Sequence, residues 1–115
     1  MIAVIFEFTP AEGRFADYKA LADGLNDEVR NFDGFVSIER FQSISDSGKF
    51  VSLSFWRDEE AVRAWRNVEG HRLAQARGRG GVFADYRLRV AEVLRDYGMV
   101  SERAAAPADS RSRHG

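Results

Sequence analysis

The segment WRNVEGHRLAQARGR, residues 65–79, gathers most of the side chains that could do chemistry: Trp65, His71, Arg72 and Gln75. A histidine has an ordinary pKa near neutrality and suits proton transfer at physiological pH. An indole offers a flat apolar surface, an arginine matches anions in a bidentate way, and a glutamine can donate or accept. Together they would hold a small ring, orient it and take a proton from it. Tyr18 and Tyr86 add two phenols. Each residue also has a plainer account. His71 would be satisfied near a helix start by Glu69 or backbone, Trp65 would be core beside Ala61 and Val62, and each tyrosine would pack with its hydroxyl bonded. Arg72, Arg77 and Arg79 would steer an anion to a pocket mouth, or only complement a helix end.

Those residues must be carried by regular elements, and the hydrophobic pattern supplies them. MIAVIFEFTP alternates Ile2, Val4, Phe6 and Phe8 against Ala3, Ile5 and Glu7, a strand apolar on nearly both sides. Thr9, Pro10 and Glu12 predict a helix start. Phe15, Tyr18, Ala22, Leu25, Val29 and Phe32 then form one stripe at helical spacing. FVSIERFQSI and KFVSLSFW flank the turn Ser45–Gly48 and predict a hairpin. Asp58 caps a second helix, which Gly70 is expected to break into two. VFADYRLRVAEVL closes as a strand, with Val82, Ala84, Tyr86, Leu88 and Val90 on one face.

The order strand, helix, strand, strand, helix, strand is the split βαβ arrangement: an α+β, ferredoxin-like βαββαβ domain with a four-stranded antiparallel sheet, helices on one face. The domain is expected over residues 1–98, and the small polar residues from 99–115 predict a disordered tail. The sheet's other face, assigned Phe35, Phe41, Phe50, Trp56, Arg87 and Arg89, is too apolar to leave wet. A second copy is expected to cover it, giving a two-sheet homodimer.

Composition narrows the function classes. The chain has 115 residues, 44% apolar and 30% charged, with a formal net charge of −1. One domain fits, and no general attraction to nucleic acid or to an acidic membrane follows. There is no cysteine, which removes thiolate nucleophiles, iron–sulfur clusters and cysteine zinc sites. His71 is the one histidine outside the last two residues, so a multi-histidine metal site within one chain is excluded. No basic leader or bilayer-long apolar run is present, so a cytoplasmic location is the default expectation.

The pattern FVSLSFWRDEEAVRAWRNVEGHRLAQARGR, closing on FADYRLRVAEVL, resembles the antibiotic biosynthesis monooxygenase (ABM) family of dimeric α+β barrels. Its sharpest pieces are Phe55-Trp56 at a strand end, the helical Trp65, and HRxxQ at His71 to Gln75. The resemblance covers roughly residues 1–95. It implies a cofactor-free oxygenase, in which an electron-rich phenol or hydroquinone anion reacts with dioxygen directly. The protein then supplies an apolar cleft between helices and sheet. His71 would assist proton removal, with Trp65, Tyr18, Tyr86, Gln75 and Arg72 around a small aromatic substrate, and no metal or organic cofactor is called for. Two other readings stay open: a homodimer that only binds a small ligand or serves as structure, and a haem-binding protein. Haem-degrading members carry their axial histidine about ten positions after the helical tryptophan, where this chain has Gln75. Their first-strand asparagine is also missing, the strand offering Glu7 and Thr9.

Overall fold

The computed structural model describes residues 1–76 and 81–99, and for residues 71–76 only the helical backbone. The elements follow the expected order: β1 (Ile2–Pro10), α1 (Phe15–Val29), β2 (Phe35–Gln42), β3 (Phe50–Trp56), α2 (Glu59–Ala76) and β4 (Phe83–Glu92). The strands form one four-stranded sheet in the order β2-β3-β1-β4, with every neighbouring pair antiparallel. This is the ferredoxin-like arrangement.

The start of α1 departs from the sequence expectation. Thr9 and Pro10 do not open the helix; they end β1, where the register against β4 shifts between them. A proline has no N–H to give a ladder and is tolerated at such a bulge. The chain then turns through Gly13, whose φ of 74° suits glycine, and α1 begins at Phe15 with Arg14 before it. The stripe foreseen for α1 is buried at Tyr18, Ala22, Leu25 and Val29.

Nor does Gly70 split α2, which runs unbroken from Glu59 to Ala76. An isolated glycine costs a helix only about 1 kcal/mol relative to alanine. Asp58 does cap α2, its Oδ1 accepting the Ala61 N–H at 2.9 Å. That bond and the neighbouring Arg57 guanidinium hold the Asp58 carboxyl below its ordinary pKa. The hairpin between β2 and β3 closes as read, with the Ser43 N–H donating to the Lys49 carbonyl at 2.9 Å.

The face assignment of the sheet needs correction, and the register gives the reason. Ile2, Val4, Phe6 and Phe8 of β1 stand opposite Trp56, Ser54, Ser52 and Phe50 of β3, and this shared face meets the helices. Phe50 and Trp56 are therefore core, not outer-face residues. Phe35 joins them because Val36 is an extra residue in β2: Phe35 pairs with Trp56 and Ser37 with Phe55. A bulge of this kind changes the alternation by one. The same happens in β4, where the shift brings Phe83 against Phe6 and Phe8, at ring-centroid distances of 5.3 and 5.4 Å. The outer face holds Ala3, Ile5, Glu7, Phe41, Val51, Leu53, Phe55, Arg87 and Arg89.

Large rings fill the two ends of the helix-facing layer. At one end Trp56 packs with Phe32, Phe35 and Trp65 beneath Leu25, Val29 and Ala61. At the other, Phe8, Tyr18 and Val82 pack with Phe6, Phe50 and Phe83. Between them β3 contributes the small Ser52 and Ser54, and α1 the small Ala22 alongside Leu21 and Leu25. Small side chains on both walls leave space between the two clusters.

Candidate active site

That space is a cleft of about 410 Å³ between helices and sheet. Its floor is Val4, Phe6, Ser52 and Ser54, and its helix walls include Leu21, Leu25, Val62 and Trp65. Volumes of this order accept a small organic molecule, and apolar walls with a few polar groups are the usual make-up of such sites. Ser54 is buried, and its hydroxyl accepts the Trp56 indole N–H at 2.9 Å.

The polar groups concentrate where β2 meets α1 and α2. Arg40 Nε donates to the Tyr18 hydroxyl at 2.9 Å, and Arg40 Nη1 donates to Asn26 Oδ1 at 2.8 Å. Glu69 of α2 lines the same region. Burial pushes its carboxyl above the ordinary value, while the Arg40 charge and hydrogen bonding from Trp65 pull it back. Burial likewise raises the Tyr18 phenol, against the opposing effect of Arg40. A carboxyl perturbed chiefly by desolvation, near a guanidinium and inside a cleft, makes Glu69 and Arg40 candidate site residues.

Of the residues expected from sequence, Tyr18, Trp65 and Tyr86 do come together around the cleft. Trp65 is 7% exposed and serves both as core and as wall. Tyr86 differs from expectation: it is 63% exposed at the cleft's open side, because β4 is an edge strand reaching beyond the helices. The side chains of His71, Arg72 and Gln75 lie outside the described residues, as do Arg77 and Arg79 and the segment 100–115. Glu7, weighed against a haem site, is on the outer face and bound there by Lys49 and Arg89, at 3.6 and 3.3 Å. Among the described residues no cluster of three or more His, Cys, Asp or Glu could hold a metal ion, and no helix is long and apolar enough to cross a membrane.

Arg40, Asn26, Glu69, Ser52 and Ser54 were not picked out by sequence reasoning. A signal existed for two of them. An arginine in a strand whose neighbours Ile38 and Phe41 are apolar is out of place, and Glu69 continues the helical spacing of Val62, Trp65 and Arg66.

The sequence model of the antibiotic biosynthesis monooxygenase family matches residues 1–77. The chain belongs to that family. An ABM relative from Pyricularia oryzae, named jasmonate monooxygenase ABM, is 46% identical over 93 residues, covering 81% of this chain and 43% of its own length. The chain thus spans less than half of that fungal protein. A solved Deinococcus radiodurans structure assigned to the ABM family superposes with a TM-score of 0.71 at 13% identity, covering 85% of this chain and 97% of its own. An MhuD variant carrying two manganese protoporphyrin IX molecules per active site gives a TM-score of 0.65 at 20% identity, over 85% and 99% of the two chains. At those identities the two structures speak for a shared ABM fold alone.

Proposed function

We propose that the protein is a monooxygenase that takes a small cyclic substrate in the cleft and oxygenates it with dioxygen, with no metal or organic cofactor. The observation that carries this reading is the open space beneath Trp65, apolar on its walls and polar at one end. Membership of the ABM family and the jasmonate monooxygenase relative support the reaction class. For a phenol, loss of the hydroxyl proton gives an electron-rich anion. Its ring carbon adds dioxygen, and the resulting hydroperoxide loses water to leave a quinone: one oxygen atom enters the product and the other leaves as water.

The residues divide the work. Trp65, Leu25, Val62 and Val4 exclude water and hold the ring, an arrangement that strengthens every electrostatic interaction inside. Tyr18 is fixed by Arg40 at the polar end, and Tyr86 stands at the open side. His71, Arg72 and Gln75 continue α2 beyond Glu69, and we assign proton removal to His71. Replacing His71 with alanine is expected to lower the rate of quinone formation by about a hundredfold, the usual scale for a positioned base. Stopped-flow absorbance with a hydroquinone would read it. Unchanged turnover would remove His71 from the mechanism.

The same reading makes the active form a homodimer joined through the outer face of the sheet. Ile5, Phe41, Val51, Leu53 and Phe55 form an apolar strip there, with Phe41 47% exposed. Leu53 stands between Ile5 and Glu39, its register partners on either side. A charge at this position would be desolvated in the interface without a partner. Leu53→Asp is expected to weaken dimerisation by about two orders of magnitude, since central interface residues contribute about 2 kcal/mol or more. Light scattering across a concentration series checks it, and a wild-type protein that is monomeric throughout would contradict the dimer.

A further inference from the structure

Arg40 stands in an unusual electrostatic position. It lies on β2, half-buried, with its side chain lining the cleft. Its two described hydrogen bonds, from Nε to Tyr18 and from Nη1 to Asn26, go to neutral acceptors. Among the described residues no carboxylate lies within ion-pairing distance of it, and its Nη2 makes no hydrogen bond. Glu69 acts on it through space and without direct contact. The guanidinium is only partly withdrawn from water, and its direct partners are neutral dipoles, with the Glu69 carboxylate acting at a distance, so it can still take an anion in direct contact. Tyr18 and Asn26 fix its rotamer in advance, so a ligand need not order it.

The missing partner has definable chemistry. A guanidinium edge matches a carboxylate in charge and shape. Phosphate monoesters suit the site less, because Glu69 stands close to the same point and would repel their second negative charge. The rest of the cleft is mostly apolar, with Arg66, Ser52 and Ser54 among its polar lining, and its volume of about 410 Å³ suits a ring with a short side chain. We propose that Arg40, braced by Tyr18 and Asn26, forms a carboxylate subsite, so that the preferred ligand of the cleft is a small monocyclic carboxylic acid. This rests on the cleft being the substrate site. It adds a specificity that the oxygenase reading does not require, since a neutral phenol would also fit the apolar walls.

The test compares acids with their own methyl esters. Binding of phenylacetate, cyclohexylacetate and their methyl esters is measured by calorimetry on the full-length protein. Wild type is set against Arg40→Met, and against Asn26→Asp, which is nearly isosteric and offers Arg40 an internal carboxylate. The acids are expected to bind wild type and to lose about tenfold or more in affinity in both variants, the scale of a charge-assisted hydrogen bond. The esters are expected to be unaffected by Asn26→Asp. Acid affinity unchanged in both variants would overturn the subsite, as would acids and esters weakening together. So would failure of every acid to bind wild type. Esters that bind while acids do not would leave the cleft standing as the ligand site and remove the carboxylate subsite alone.

Discussion

Trp56→Ala is expected to destabilise the protein by about 3–5 kcal/mol, the range for removing a large aromatic ring from a packed core. Trp56 is 1% exposed and is surrounded by Phe32, Phe35 and Trp65, with ring centroids 6.3, 5.5 and 6.1 Å away. Its loss would leave a void beside a cleft that already interrupts the core, so neighbouring groups have little support for relaxing inward. Ser54 would also lose the indole N–H that satisfies its hydroxyl. Stability for a domain of this size is typically about 5–15 kcal/mol, so the variant would be partly unfolded at physiological temperature. Urea unfolding followed by circular dichroism checks it. A loss under about 1 kcal/mol would contradict the placement of Trp56 in the packed core.

Val62→Trp is expected to lower kcat/KM by about a hundredfold or more, with folding preserved. Val62 is half-buried on α2 and lines the cleft, so a larger side chain there extends into open space. An indole would occupy much of the volume a substrate ring needs, and displacement of a substrate by about 1 Å can cost about a hundredfold in rate. Tryptophan is an acceptable helix residue, so the melting temperature should stay within a few degrees of wild type. Equal turnover in the two proteins would place the reaction elsewhere on the molecule.

The element order was legible because long-range connectivity in a small α+β chain follows from the periodicity of a few segments. The stripe from Phe15 to Val29 and the alternation of β1 were both unambiguous. The side of β3 facing the helices was not. Val51, Leu53 and Phe55 look like a core row, whereas Phe50, Ser52, Ser54 and Trp56 carry two hydroxyls. Alternation alone cannot orient a strand that is apolar on both faces. The structure resolves this against simple hydrophobicity: the serines face inward and, with Ala22, make the cleft. Bulges at Val36 and near Ala84 then shifted the phase of β2 and β4, and single-residue insertions leave no mark in composition.

The candidate site was legible in part for the same reason. Trp65 and Tyr18 sit on helices whose stripes were read correctly, and both line the cleft. Arg40 escaped notice, and Glu69 was read only as a partner for His71, because each would be ordinary on a solvated surface. Arg40 shares the helix-facing side of β2 with Ile38, opposite Ser52, and burial in the cleft takes Glu69 out of water. Their significance is tertiary: it arises from the meeting of two elements far apart in sequence.

Oxygen uptake tests the central claim most directly. Wild type and Val62→Trp would be given phenols and hydroquinones under isotopically labelled dioxygen, with a chelator present and no added cofactor. The cleft reading predicts uptake by wild type with one labelled oxygen atom in each product molecule, and its near-abolition in Val62→Trp. Uptake that requires an added metal or flavin, or that proceeds equally with the cleft filled, would contradict it.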